Sequence, residues 1–109
     1  MPAYMYRVGY TAESWESQVK KTTNRQEALA PVVKRLGGRI LSFYYAFGED
    51  DVILIVQMPD NKAAAALALA AASSGALSHI TTTPLMTVAE GMASMRQAKR
   101  ARYSPPGAD

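Results

Sequence analysis

The chain has no cysteine and a single histidine, His79. The first absence excludes disulfide scaffolds, thiolate zinc sites and thiol nucleophiles. The second leaves at most one imidazole per chain and excludes His-rich metal centres. Charged residues are few, at 19%, yet no uncharged apolar run is long enough to cross a bilayer; the longest, Ala63 to Ala72, falls short. The opening Met1-Pro2-Ala3-Tyr4 lacks the basic-then-apolar pattern of a signal peptide, so a cytoplasmic protein with no membrane partner is expected. No Gly-rich phosphate loop, Ser-nucleophile motif or dinucleotide fingerprint is present, and no cofactor or metal is expected.

What is present is 109 residues of which 49% are apolar. That is one domain, able to hide about two-thirds of its unfolded surface in a single core. The formal charge is +3, and its location matters more than its size. Residues 1–95 are neutral overall, whereas residues 96–109 carry Arg96, Lys99, Arg100 and Arg102 against Asp109. The excess is therefore confined to a basic helix end and flexible C-terminal tail, set apart from a domain over residues 1–95. Cations at a helix C-terminus complement its dipole. Tyr103 is the one aromatic among them, too little for a base-stacking platform, which argues against nucleic acid as a partner.

Tyr4 to Thr11 alternates as a strand, with Tyr4, Tyr6, Val8 and Tyr10 on one face and Met5, Arg7 and Gly9 on the other. Ser14 to Leu36 has a helical period, interrupted by Pro31, where a kink or restart is predicted, and stopped by Gly37-Gly38. Arg39 to Phe47 and Val52 to Met58 read as a hairpin around Gly48-Glu49-Asp50-Asp51. In the first of these strands Leu41, Phe43, Tyr45 and Phe47 share one face, and Ile40, Ser42, Tyr44 and Ala46 the other. Asp60 is the predicted N-cap of an Ala-rich helix that ends at Ser73-Ser74-Gly75. Leu77 to Thr83 is a fourth strand closed by Pro84, and Thr87 with Glu90 forms a capping box for a last helix to about Arg102. The order is β-α-β-β-α-β plus a C-terminal helix. This predicts an α+β, ferredoxin-like fold with a four-stranded antiparallel sheet and both crossover helices on one face.

A sheet with one face in water alternates apolar and polar residues. Here the strands do not: Val52, Leu54, Val56 and Met58 oppose Ile53, Ile55 and Gln57. An apolar patch of that extent calls for a cover. A homodimer packed sheet against sheet is expected, the alternative being that the terminal helix folds back over the face. The charge-free Ala63 to Ala72 stretch reflects either contact on more than one side or helix propensity alone.

Several segments in this order resemble the GYD domain family of small bacterial proteins. They are Leu36-Gly37-Gly38-Arg39 with Phe43-Tyr44, Gly48-Glu49-Asp50-Asp51 entering Val52 to Val56, and Pro59-Asp60 leading into Ala64 to Leu69. Ser74-Gly75-Ala76-Leu77 and Thr81 to Thr87 with Glu90 complete the series, so the resemblance covers residues 3 to about 98. Gly48 and Asp51 match the name-giving element, while Asp50 stands where the family has tyrosine. The resemblance implies a dimeric α+β-barrel type of assembly and no established reaction.

Candidate binding residues are Arg7, Tyr6, Trp15, Tyr44 and His79. Arg7, if it points into the cleft between sheet and helices, could hold a carboxylate with tyrosine phenols as donors; otherwise it is an edge-strand charge. His79 is a candidate general base or haem ligand, or a strand histidine with one hydrogen bond. Trp15, Phe43, Tyr44, Tyr45 and Phe47 line a ligand cavity or form core and dimer interface. The acids Glu49, Asp50 and Asp51 read as a solvated turn rather than a cation site. The leading expectation is a homodimeric module that binds a small apolar or aromatic molecule between sheet and helices. The alternatives are a cofactor-free oxygenase-like enzyme using His79, Arg7 and tyrosines, and a regulatory or nucleic-acid binder acting through the basic tail.

Overall fold

A computed structural model describes residues 1–108. Four strands, β1 (Ala3–Tyr10), β2 (Arg39–Tyr45), β3 (Val52–Gln57) and β4 (Leu77–Leu85), form one antiparallel sheet in the order β2-β3-β1-β4. Helices α1 (Ala12–Lys20) and α2 (Arg25–Arg35) connect β1 to β2, α3 (Asn61–Ala72) connects β3 to β4, and α4 (Val88–Ala101) follows β4. This is the α+β, ferredoxin-like arrangement that the strand and helix order predicts.

The core lies on one face of the sheet. Tyr4, Tyr6 and Val8 of β1 and Val52, Leu54 and Val56 of β3 meet Val33 of α2 and Ala64 and Leu67 of α3, with Met58 fully enclosed. The short side chains of α3 let it approach closely enough for the tyrosines to reach its backbone and first turn. Tyr6 Oη donates to the Ala64 carbonyl at 2.7 Å, and Tyr4 Oη to Asn61 Oδ1 at 2.6 Å. Burial, helped by the neighbouring Tyr4 phenol, pushes the Tyr6 hydroxyl up to about 12. In an unfolded chain the group titrates near ~10. Because the folded value is the higher one, its contribution to stability is complete below pH ~10 and is lost as pH rises through about 12. The urea midpoint should therefore fall between those values, and Tyr6→Phe should shrink that fall.

The caps agree with the sequence. Asp60 accepts from the Ala63 amide, and Thr87 and Glu90 bond reciprocally as a capping box. Gly37, at φ +88°, and Gly38 close α2 with the Schellman pair Gly37 N–H to the Lys34 carbonyl and Gly38 N–H to the Val33 carbonyl, each 3.0 Å.

Three local expectations are corrected. The helical stretch from Ser14 to Leu36 does not kink at Pro31; it is two helices separated at residues 21–24. The Thr22 hydroxyl turns back onto the Gln18 carbonyl, and Asn24 Oδ1 caps α2 by accepting from the Glu27 amide. Pro31 sits inside α2 on an exposed face, where the carbonyl it leaves unpaired can meet water. In β2 the alternation breaks at Leu41, because Ile40 opposes Val56 while Ser42 opposes Ile55. The bulge moves Ile40 to the helix side with Phe43 and Tyr45, and Phe47 lies beyond the strand, fully exposed. Finally, β4 runs through Pro84 to Leu85, which an edge strand tolerates.

The terminal helix does not fold back over the sheet. It contributes no buried residue. The radius of gyration is 17.8 Å and the longest extent 62 Å against 31 and 22 Å across, whereas a compact domain of this length has a radius near ~13 Å.

Candidate functional site

The acidic turn between β2 and β3 sends consecutive carboxylates to opposite sides of the sheet, because successive side chains of an extended backbone diverge. Asp51 goes to the helix side. Its Oδ2 accepts from the Tyr10 amide at 2.8 Å and from Trp15 Nε1 at 3.2 Å, while its own amide donates to the Val8 carbonyl at 2.8 Å. One carboxylate thus pins the turn to the end of β1 and the start of α1. Trp15 is stacked edge-on against Tyr10 with ring centroids 5.2 Å apart, and Tyr45 lies 6.5 Å away.

Asp50 goes to the open side. Its Oδ1 lies 3.0 Å from His79 Nε2, and its Oδ2 lies 3.6 Å from Arg7 Nε. Arg7 Nε also donates to Thr81 Oγ1 at 3.4 Å, and Ser78 Oγ is 3.3 Å from His79 Nδ1. Gly9 makes this arrangement possible. A Cβ there would overlap the His79 ring, which lies across β1 beside the register shift at Gly9 and Tyr10. Asp50 is the most enclosed member of the cluster, its side chain 13% exposed.

The residues singled out from the sequence therefore divide between two faces. Arg7 and His79 meet on the open face, joined by Asp50, and neither points into the cleft between sheet and helices. Tyr44 shares that open face, two strands from Arg7 across Ile53, and is 67% exposed. Tyr6 is a core residue on the helix side, and Trp15 belongs to the Asp51 tie. Gly48 has open space around it.

A cleft of about 210 Å³ does open between the sheet and the helices, at the β1 C-terminal end. Its walls are apolar, chiefly Val8, Leu29, Phe43, Leu54 and Leu77, and its polar groups include Tyr10 and Arg25. Burial pushes the Tyr10 phenol up, with Tyr45 adding to the rise and the adjacent Arg25 guanidinium opposing it. Arg25 has no carboxylate partner among the described residues. Sequence reasoning missed Arg25, because a helix-start arginine looks like any solvated cation until the break before α2 places it over the cleft. A wider groove of about 450 Å³ lies between α1 and the end of β2, lined mainly by Trp15, Val19, Tyr45 and Phe47 with Asp51.

Among the described residues no three His, Asp or Glu side chains come together in a way that could hold a metal ion, and no helix is long and apolar enough to cross a membrane. No match was found among the curated proteins. The GYD domain model, by contrast, matches residues 4–95, taking in all of the sheet but Ala3, both crossover connections and the acidic turn that splits its carboxylates between two faces, so the chain belongs to the GYD domain family.

Proposed function

We propose that the protein is a homodimeric cytoplasmic module that binds a small apolar or aromatic molecule in the cleft between the sheet and helices α2 and α3. The cleft itself carries the reading: apolar walls with one guanidinium and one phenol among them are the usual chemistry of a small-molecule site. Trp15, the one tryptophan of the chain, is stacked on Tyr10 and reports on occupancy. Titration with benzene-sized aromatics should change its emission saturably. Leu29→Trp, which fills the cleft, should weaken binding at least tenfold, with the added indole allowed for by following the ligand's own signal in dialysis. No saturable binding to the unaltered protein would overturn the proposal.

The dimer is supported by the open face of the sheet. Met5, Ile53 and Ile55 line it and are only partly covered within one chain. A stable interface buries about 800 Å² per partner. At ~25 cal/mol/Å² its apolar share would exceed the cost of association. Sheet-to-sheet packing would also enclose the Arg7–Asp50–His79 cluster.

That cluster favours a second reading, a small enzyme on the same scaffold. An imidazole oriented by a carboxylate at 3.0 Å is equipped to take a proton. It lies on the opposite side of the sheet from the cleft, so a molecule in the cleft would not be its substrate.

A further inference from the structure

We propose that α4 is an exchanged arm, lying in the groove between α1 and β2 of a second copy of this chain. The inference rests on the dimer reading above and specifies what completes it.

The helix is unpartnered within its own chain. Over 14 residues it buries none. Among the described residues no hydrogen bond or ion pair links it to β1–β4 or α1–α3; the bonds its side chains make stay within residues 86–94. An isolated helix of this length is marginal in water, so its stability must come from packing one face. That face exists. Val88, Met92 and Met95 fall at i, i+4 and i+7 and are all exposed, opposite Glu90 and Gln97.

The groove is the matching vacancy. Trp15, Val19, Tyr45 and Phe47 give it apolar walls, and Val19 and Phe47 have no cover. An amphipathic helix laid into an apolar groove is a common mode of recognition. Charge agrees as well: the groove holds the Asp51 carboxylate, and Lys99 follows Met95 on the apolar face of α4.

The same chain cannot supply the arm. β4 and β2 are opposite edges of the sheet, three strand spacings apart, or about 14 Å. Only Met86 and Thr87 separate β4 from α4, and the capping box at Thr87 fixes the helix as it leaves. The 62 Å long axis records that it heads away from the body. A two-fold dimer that sets the β4 edge of one copy beside the β2 edge of the other delivers both arms to both grooves at once.

The cysteine-free chain makes a clean test. Phe47→Cys and Met95→Cys are both at exposed positions and should leave the fold intact. When the two variants are mixed and mildly oxidised, an intermolecular disulfide should join one of each, well above the yield of either alone. In sedimentation, the double substitution Met92→Glu with Met95→Glu should raise the dimer dissociation constant at least tenfold, with circular dichroism confirming a folded sheet. A dimer that is unaffected by the double substitution and gives no mixed disulfide would overturn the arm while leaving the sheet-face dimer standing. Crosslinking of Met95→Cys to Ile53→Cys in place of Phe47→Cys would move α4 to the open sheet face and overturn the groove. An unaltered protein that sediments as a monomer at micromolar concentration would overturn both readings.

Discussion

Gly38→Ala should destabilise the protein by about 2–4 kcal/mol, at the upper end of what overpacking costs. Gly38 sits where α2 ends and β2 begins, and its Cα is pressed against the end of β3. An added methyl would overlap the Gln57 carbonyl oxygen and the Met58 sulfur. Neither can step aside. Gln57 is the register partner of Arg39 in the β2–β3 ladder, and Met58 is fully enclosed, its amide bonded to the Pro2 carbonyl. Relief would have to come from separating β2 from β3 or from breaking the Schellman closure of α2. Gly48→Ala is the control, since a methyl there meets nothing within 4 Å, and its effect should stay within about 0.5 kcal/mol. Thermal unfolding checks both. For a domain of this size the Gly38 variant should melt roughly 10–25 °C lower, and equal melting of the two variants would contradict the packing described here.

Asp51→Ala should cost about 2–4 kcal/mol, because it leaves two donors without an acceptor. The Tyr10 amide and the Trp15 indole both point at Oδ2 in a half-buried corner, and no other side-chain acceptor is bonded to either. Asp51→Asn retains one carbonyl oxygen in the same place and should lose less than half as much. The loss should also be visible locally. With its indole released, Trp15 should emit further to the red than in the unaltered protein, while the Asn variant should stay close to it. If both variants unfold at the same urea concentration as the unaltered protein, Asp51 does not tie the turn down. The tie bears on the proposed binding because Tyr10 lines the cleft and Trp15 the groove, so the same carboxylate sets the shape of both.

Much of this was legible in the chain. Where a pattern depends on near neighbours, reading and structure agree: the alternation of Tyr4, Tyr6 and Val8, the capping box at Thr87 and Glu90, the Asp60 cap, the stop at Gly37-Gly38. The misreadings have a common cause. Pro31 looked like the place for a break because proline removes a hydrogen bond, but an exposed helix bears that loss. The break came instead where Thr22 and Asn24 offered the backbone competing bonds. The bulge at Leu41 left no mark in a segment apolar on both faces, since either register buries comparable side chains.

The site residues divide along the same line. The chemistry of Arg7 and His79 shows in the sequence, but only the sheet register sets them on the open face around Asp50. In the sequence Arg25 is one more cation on the polar side of a helix, since its place above the cleft follows from where α2 starts. From the amino-acid order alone came the element sequence, the caps, the domain's neutral body with its basic end, and the excess of apolar strand surface. These are set by steric and hydrogen-bonding preferences that act over a few residues. Tertiary structure decided which carboxylate faces which side, where a cleft survives, and that α4 leaves the body bare. Those outcomes depend on distances between segments tens of residues apart, which local preference does not encode.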